Sequence, residues 1–456
     1  MTAEPRLQPP DTIREICRTL EQAGHEAWCV GGAVRDALLG IETLDWDIAT
    51  SAHPDAVLKL FRRTIPVGLK FGTVGVLDGA GTLHEITTFR HDVETDGRHA
   101  VVRFGASLEE DLARRDFTIN AIAVHAERLE LRDPFGGRAD LERGLVRAVG
   151  DARERMREDR LRALRALRFA GRFGFSIEPA TWEAIKESAP HLSRLSMERV
   201  KQELEKVMEQ VQRPSETMER YRDTGALRTL VPAIADAPRA RFAALDHLAR
   251  PGAAARPNRR LLRLAALFVE PGAAPPRGLD KTLKALKFSN VEARATEELA
   301  TAASRVSLDS AGVGAAAASG AGRLTRLAPD LSDVALRRLV AEVGRLTVPS
   351  LARLLWARAS AESGATSGAT SGTDWTRARG IALYRRAMRI AWRDPIALGD
   401  LAVDGDDLRR AGVAPGRAIG ETLGHLLDAV LEDPSLNTQD QLLKLATAAA
   451  PRARAD

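Results

Sequence analysis

The sequence predicts an α+β protein in which a region with a small mixed sheet precedes an all-helical remainder. Over residues 1–140, short apolar runs bounded by glycine alternate with amphipathic segments, a pattern typical of strands and helices packed in layers. Beyond residue 140 the strand patterns nearly vanish and helical periodicity dominates. A chain of 456 residues suggests roughly three or four domains of ~100–200 residues each.

The first region is predicted to alternate helices and strands. Gly24 ends the first helix, Pro54 suits the first turn of a later one, and the sequence DGAGT suits a tight connection between two strands. The predicted elements are a helix over 13–24, a strand over 27–30, a helix over 33–39, a strand over 44–51, a helix over 53–64, and strands over 73–79 and 83–89.

The helical remainder is predicted from the stretches 139–152, 156–174 and 196–211, which all show helical spacing of apolar residues. An Ala/Gly/Ser-rich stretch around 310–322 interrupts it. The repeat SGATSGATSGT over 363–373 has the composition of a flexible linker.

Composition is that of an ordinary globular protein, with 44% hydrophobic and 28% charged residues. The net charge of +5 and a sequence pI near 9.4 fit a polyanionic partner, or equally a genome that favours arginine codons. The two cysteines, Cys17 and Cys29, cannot build a disulfide framework or a CxxC zinc site. With no run of about eighteen apolar residues, we expect a soluble, cytoplasmic protein without a membrane partner.

The stretch CVGGAVRDALLGIETLDWDIATS combines two glycines with two carboxylates. Gly31 and Gly32 let backbone N–H groups approach an anion, and Arg35 offers a forked donor to phosphate. Asp45 and Asp47 at i and i+2 on a strand would point to one side and could bind two divalent cations ~3.5–4 Å apart. The alternative is a Gly-Gly turn with a surface acidic pair, but the combination is typical of nucleotidyl transfer.

Two further groups could complete such a site. Glu85 on the strand LHEITTF could add a third carboxylate, or simply face solvent. Arg114 and Arg115 suit a triphosphate and Asp116 suits ribose hydroxyls, although the same residues could form an ordinary charged junction. Asn120, in the apolar segment that follows, is a further nucleotide-binding candidate.

A possible base-reading group lies in the stretch EDRLRALRALRFAGRFG. On a helix Asp159 and Arg162 lie side by side, and Arg165 and Arg168 extend the same face. The pair could be a common intrahelical ion pair. It could also accept from the exocyclic amine of cytosine or adenine and donate to the ring acceptors, while uracil and guanine would place a carbonyl against the carboxylate.

Six motifs together resemble one family. They are GGAVRDALLG with LDWDIAT, ETDGRHAVVRF, EEDLARRDFTINAIA, DPFGGRADLERGLVRAVG, EDRLRALRALRFAGRFGF and SMERVKQELEKVM, over roughly residues 27 to 210. The chain resembles the bacterial class II CCA-adding enzymes, tRNA nucleotidyltransferases of the polymerase-β superfamily that are closely related to bacterial poly(A) polymerases.

The resemblance implies a polymerase-β-type nucleotidyltransferase head with a small mixed sheet, followed by an all-helical neck, body and tail. The implied domains are the catalytic head over 1–140, the neck with the base template over 141–200, the tRNA-binding body over 201–360, a flexible linker over 361–374 and the tail over 375–456.

It also implies residue roles. Asp45 and Asp47 would hold Mg²⁺, and Glu85 matches the third carboxylate of the poly(A) polymerase relatives. By the same resemblance, Gly32, Arg35 and Arg115 would contact the triphosphate, and Asp116 would lie near the ribose. Asp159 and Arg162 would contact the base, and Arg165 and Arg168 match further nucleotide contacts. Residues 94–99 resemble the flexible loop that relatives use when they switch from CTP to ATP.

The implied activity is addition of C, C and A to the tRNA 3′ end from CTP and ATP. Poly(A) polymerase, a partial enzyme that adds only CC or only A, and a non-catalytic RNA-binding protein stay as alternatives. No motif beyond about residue 240 matches the family, and no late His/Asp cluster indicates a phosphohydrolase. The C-terminus carries only two arginines after Lys444, which favours CCA addition over poly(A) synthesis, and the sequence does not predict an oligomeric state.

Overall fold

The computed structural model describes residues 7–43, 45–95, 100–237, 239–248, 259–269, 278–304, 306–307, 325–326, 331–365 and 377–449. The chain divides into two compact units, Met1–Asp236 and Ala237–Asp456. The first unit is mixed, and the described residues of the second are helical apart from one short strand pair.

The strands of the first unit form one larger sheet and two small ones. They are β1 (Ala27–Val30), β2 (Asp47–Thr50), β3 (Thr64–Gly68), β4 (Thr73–Leu77), β5 (Leu83–Thr88), β6 (Arg90–Thr95), β7 (Ala100–Phe104), β8 (Ala123–Val124), β9 (Leu131–Arg132), β10 (Leu145–Val146) and β11 (Ser176–Ile177).

The larger sheet has the strand order β3-β4-β5-β2-β1-β8-β9. Only the β2–β5 pairing in it is parallel, so the small mixed sheet expected from the sequence is confirmed. Apolar side chains on one face, among them Trp28, Val30 and Ala49, join a core with Phe89 and Leu112. This packing fixes the strand ends that carry the candidate site.

The helices of the first unit surround that sheet and continue beyond it. They are α1 (Asp11–Gln22), α2 (Gly32–Leu38), α3 (Pro54–Leu60), α4 (Leu108–Ala113), α5 (Gly137–Arg143), α6 (Ala152–Glu158), α7 (Leu161–Phe173), α8 (Pro179–Ser188), α9 (Met197–Gln210), α10 (Pro214–Asp223) and α11 (Ala226–Leu230).

Several predicted boundaries in this unit are wrong. The helix predicted over 53–64 ends at Leu60, because the next residues form the edge strand β3. Helical spacing over 139–152 fails after Arg143, where Gly144 adopts a left-handed φ of 63° and β10 then pairs with β11. The β6–β7 hairpin was not predicted, and the proposed switching loop over 94–99 falls partly on residues 96–99, outside the described residues.

The continuous helix predicted over 156–174 is also wrong. Helix α6 ends at Glu158, and Asp159 has extended backbone angles, with φ −145° and ψ 105°. Its Oδ1 accepts a hydrogen bond from the Leu161 N–H at 3.0 Å, at the point where α7 begins. A short polar side chain that binds nearby backbone competes with the helical ladder, so the helix breaks there.

The second unit contains ten helices among the described residues, together with the parallel pair β12 and β13. Its elements are α12 (Arg239–His247), α13 (Arg259–Phe268), α14 (Leu279–Ala285), α15 (Asn290–Ser304), β12 (Val306–Ser307), β13 (Thr325–Arg326), α16 (Asp333–Val343), α17 (Val348–Ala365), α18 (Arg377–Arg393), α19 (Gly405–Arg410), α20 (Arg417–Glu432) and α21 (Gln439–Ala449).

Helix α17 runs through Ala365, so it includes the first residues of the predicted linker over 361–374. Residues 366–374 lie outside the described part of the chain, as does the Ala/Gly/Ser-rich stretch 310–322. Within the described ranges, no helix is both long enough and apolar enough to cross a membrane. The prediction that the chain beyond the head is mainly helical is confirmed for the described residues.

Candidate active site

Three carboxylates gather near the start of β2. Asp47 is the first residue of that strand, directly before Ile48, and Glu85 directly precedes Ile86 on β5. Because Ile48 and Ile86 are register partners in a parallel pair, the residues before them point to the same face. Asp45 is exposed and precedes the strand, so the prediction that both aspartates lie on one strand is wrong. Trp46, only 3% exposed, anchors the segment between them.

The pKa of Asp47 lies above its ordinary value, chiefly because the side chain is buried. Burial raises it, the negative charges of Asp45 and Glu85 add to the rise, and Arg115 opposes it, with a resulting pKa of about 6. Carboxylates held this close favour a bound cation, which would neutralise their repulsion.

An Mg²⁺ ion fits the chemistry of these donors. Within the described residues, no group of three or more His, Cys, Asp or Glu side chains is arranged to hold a metal alone. Mg²⁺ usually binds through one or two carboxylates plus substrate phosphates, so Asp45 and Asp47 would suffice once a nucleotide is bound.

Gly31 lies between the carboxylates and an arginine. Its φ is 74°, a conformation that other residues rarely adopt, and a Cβ there would lie 2.8 Å from Nη1 of Arg115 and 3.8 Å from Oδ2 of Asp47. A Cβ on the neighbouring Gly32 would lie 3.5 Å from Nη2 of Arg35. The glycines therefore leave room for guanidinium groups beside the carboxylates.

Asp111 holds both arginines of the RRD sequence. Its Oδ1 accepts from Arg114 at 3.0 Å and its Oδ2 accepts from Arg115 at 3.2 Å. Burial would raise the pKa of Asp111, but the positive charges of Arg115 and Arg114 outweigh it and lower that pKa. Asp111 was not predicted as a site residue, although its i+3 and i+4 spacing to two arginines on a short helix could have indicated it.

A buried polar chain connects α2 with α7. Its links are Arg172 to Asp36 at 2.8 Å, Asp36 to the Nε of Arg35 at 2.8 Å, Arg35 to the Asn120 side-chain oxygen, Asn120 to Asp116 at 2.8 Å, and Asp116 to the Nε of Arg165 at 2.7 Å. Residues predicted separately as nucleotide contacts therefore touch one another.

Arg35 is the most enclosed member, with only 4% of it exposed. Its guanidinium carbon lies 5.0 Å from the centroid of Phe169 and 4.9 Å from that of Phe173. Arg165 and Arg168 approach the Phe169 ring at 5.3 and 4.3 Å. One phenylalanine on α7 therefore contacts three guanidinium groups, an arrangement that cation–π attraction stabilises.

Asp116 stays ionised within this chain. Burial would raise its pKa, but Arg165 and Asn120 outweigh that effect, and the pKa falls to about 2. Its other hydrogen bond comes from the N–H of Phe117 at 2.8 Å. Both carboxylate oxygens of Asp116 therefore accept hydrogen bonds from protein groups. Through Arg165 the side chain attaches α7 to the residue that is the predicted ribose contact.

Asp159 and Arg162 do not form the predicted side-by-side pair. Asp159 Oδ2 accepts from Arg199 of α9 at 2.7 Å, while Arg162 donates to the Glu158 carboxylate and, at 2.9 Å, to the carbonyl of Arg114. Arg199 is a contact that sequence reasoning missed, because the two residues are 40 positions apart. Asp159 and Arg162 still lie near the start of α7, but each is oriented by hydrogen bonds to other residues.

Arg168 points into the packing between α7 and α9. Its Nε donates to Glu203 at 2.6 Å, and the two side chains are only 4% and 2% exposed. Lys206, 3.4 Å from the same carboxylate, adds a second and more exposed charge. This ion pair accounts structurally for Arg168 without a nucleotide.

Comparison with known families matches two parts of the chain. A family model described as the poly A polymerase head domain matches residues 27–147. A second, described as a probable RNA and SrmB-binding site of polymerase A, matches residues 174–237. Both matches lie within the first compact unit, apart from one residue.

A solved structure extends the likeness to nearly the whole chain. It is the crystal structure of the Bacillus stearothermophilus CCA-adding enzyme in complex with CTP, with a TM-score of 0.70 and 30% identity over 97% of this chain and 98% of that one. The chain belongs to the CCA-adding enzyme family. The family resemblance and the α+β head with a helical remainder are thereby confirmed.

Other members of this family show where the likeness is strongest. The CCA-adding enzymes of Geobacillus kaustophilus and Leuconostoc mesenteroides are 49% and 50% identical over 205 and 195 residues, which is 44% and 42% of this chain. These alignments cover 50% and 48% of the relatives, so the chain spans about half the length of the curated relatives it matches. The Thermotoga maritima CCA-adding enzyme complexed with tRNA shares the fold, with a TM-score of 0.60 and 21% identity over 96% of this chain and 94% of that one.

Proposed function

We propose that this protein adds C, C and A to the 3′ end of tRNA from CTP and ATP without a nucleic acid template. The observation that carries the proposal is the position of Asp47 and Arg115 beside Gly31, with the charges of Asp45 and Glu85 acting on Asp47, in the same compact unit as Asp159 and Arg162. Membership of the CCA-adding enzyme family, with a CTP complex among its solved structures, supports it.

The reaction is an in-line displacement at the α-phosphorus of the nucleotide. The 3′ hydroxyl of the acceptor attacks, the bond to the β-phosphate oxygen breaks, and pyrophosphate leaves. Mg²⁺ held by Asp45 and Asp47 would neutralise charge on the attacking and leaving oxygens. In this proposal Arg115, which lies beside Asp47 because Gly31 has no side chain, binds the departing phosphates, and Glu85 accepts the proton of the hydroxyl.

The proposed base template is Asp159 with Arg162. Arg199 and the Leu161 N–H each use one lone pair of the Asp159 carboxylate, which leaves acceptor capacity for an exocyclic amine. Arg162 is similarly fixed by Glu158 and the Arg114 carbonyl, so its remaining donors have a defined direction. Arg35, Arg165 and Arg168 act mainly by holding the site together in this proposal, since their guanidinium groups contact buried protein groups.

The deciding experiment supplies tRNA that lacks its terminal CCA, together with CTP, ATP and Mg²⁺, and sequences the products. We expect a single extension that ends in CCA. Long heterogeneous A tails would identify a poly(A) polymerase, and products that stop after CC or require a CC end would identify a partial enzyme. Binding of tRNA without any extension would contradict the proposed catalysis.

Base selection provides a sharper test. Asp159→Ala is expected to reduce discrimination of CTP and ATP against UTP and GTP by about 1–3 kcal/mol, the range for a direct base contact. Arg199→Ala should shift discrimination in the same direction but less, because it removes only the partner that orients Asp159. Single-turnover incorporation of all four nucleotides measures both effects.

Asp151→Ala is the matched control, since the Asp151 side chain likewise accepts from a backbone N–H at the start of a helix in this region, that of Glu154. It should weaken the fold slightly and leave selectivity unchanged. If Asp159→Ala kept full discrimination while its circular dichroism stayed native, Asp159 would be a structural helix cap rather than part of the template.

A further inference from the structure

An exposed apolar surface lies beside the carboxylates. Ile65 and Val67 of β3 and Leu83 of β5 are 41%, 46% and 38% exposed, although all three belong to the larger sheet. They surround Gly75 of β4, where a Cβ would lie 2.6 Å from Leu83 and 2.9 Å from Val67. We call Ile65, Val67 and Leu83 with Gly75 the apolar shelf.

The apolar shelf shares a face of the sheet with the candidate metal ligands. Ile65 is the register partner of Gly75, and Gly75 is the register partner of Glu85. Side chains of register partners point to the same face, as do Glu85 and Asp47 in adjacent parallel strands. Gly75 therefore lies two strand spacings from Asp47, about 10 Å, on the same side.

The nucleotide-binding candidates lie on the other side of β2 from the apolar shelf. Gly31 follows β1, while Arg115 and Asn120 precede β8, and both strands lie on the far side of β2 from β5. In an in-line displacement the attacking hydroxyl and the leaving pyrophosphate lie on opposite sides of the α-phosphorus. If the phosphates extend toward β1 and β8, the acceptor must approach from β5, β4 and β3.

We propose that the apolar shelf packs against the base of the acceptor's 3′-terminal nucleoside and so positions its hydroxyl. This inference rests on the proposed function. During addition of C, C and A the terminal base changes from step to step, so a contact to it must tolerate different bases. Apolar packing against the flat face of a base has this property, whereas hydrogen bonds to its edge would select one base.

Gly75 explains why the surface can serve this purpose. The side chains of Val67 and Leu83 close over the buried Gly75, so a side chain there would push them apart, whereas glycine lets them form one continuous apolar surface on the face that carries Glu85. The position of β3 at the sheet edge, with a register shift between Ile65 and Gly68, leaves this side open to a ligand.

The test compares the Val67→Ser/Leu83→Ser double variant with the unchanged protein, using tRNA that lacks CCA. We expect the KM for the acceptor to rise about tenfold, in line with the loss of two apolar contacts, while the KM for CTP stays within about twofold. Leu129→Asn is the matched control, since Leu129 is 42% exposed near the other sheet edge and asparagine tolerates its φ of 55°. It should change neither KM.

An acceptor whose 3′-terminal nucleotide lacks a base completes a double-mutant cycle. The unchanged protein should lose about as much affinity for this acceptor as the double variant loses for the normal one. When the double variant meets the acceptor without the base, the total loss should be smaller than the sum of the two separate losses. Additive losses, or an unchanged acceptor KM in the double variant, would overturn the proposal. A changed mass in solution with unchanged KM would assign the shelf to a second copy of the chain. Failure of the unchanged protein to extend any acceptor would instead refute the proposed function.

Discussion

Asp47→Ala is expected to abolish addition of both C and A, with turnover reduced at least about a thousandfold, because charge neutralisation by the bound metal supplies several kcal/mol. Asp45→Ala should have an effect of the same order. Affinity for tRNA should change little, since the proposed function has RNA held mainly by phosphate contacts away from these carboxylates. Initial rates with CTP and with ATP, together with tRNA binding by filter retention, measure the two quantities.

Asp55→Ala is the control for this prediction, because Asp55 is an exposed carboxylate in the first turn of α3, outside the site. It should retain normal turnover. Turnover of Asp47→Ala within tenfold of normal would contradict the metal assignment, and an equal loss of tRNA affinity would indicate that the substitution disturbs the fold rather than the chemistry.

Arg168→Ala should lower the free energy of unfolding by about 3–5 kcal/mol, the cost of removing one partner of a buried ion pair. The variant leaves Glu203, which is 2% exposed, with Lys206 as its charged neighbour. Denaturant unfolding followed by circular dichroism measures the loss. The second variant, Arg168→Met/Glu203→Leu, should recover much of it, because an apolar pair of similar volume removes the uncompensated charge.

The exposed pair Arg153–Glu187 provides the comparison. Its two side chains are 57% and 52% exposed although the contact is two-pronged, so Arg153→Ala should have far less effect on unfolding. If the Arg168→Ala protein had normal stability but a raised KM for nucleotides, Arg168 would be a nucleotide contact, as the sequence predicts, rather than a structural residue.

Local patterns predicted the features that depend on neighbouring residues. The glycines at the start of α2, the aspartate that opens β2 and the glutamate on β5 follow from short apolar runs and from the rule that strand residues alternate between faces. The helix over Met197–Gln210 likewise follows from its apolar spacing. The roles of these residues stay predictions until the substitutions above are measured.

Features that depend on distant contacts were not predictable in this way. Asp159 interrupts a segment with strong helical periodicity, because its side chain accepts from the Leu161 N–H at the start of α7 and binds Arg199 from another helix. The contact of Asp36 with Arg172 joins residues 136 positions apart, so no pattern of neighbouring residues could have predicted it. Strand β3 was missed because its residues are exposed on both sides and show little of the alternation that marks a half-buried strand.

The buried polar chain bears on how this protein could be divided or recombined. A fragment that stops at the predicted head boundary, residue 140, would keep Asp36, Asn120 and Asp116 but lose Arg165 and Arg172. The larger sheet would be complete, yet Asp116 would lose its ion pair with Arg165, and Asp36 would keep Arg35 but lose Arg172. Chimeras that exchange segments between relatives should therefore place their junction beyond α7, so that each sheet keeps the helix whose arginines pair with its carboxylates.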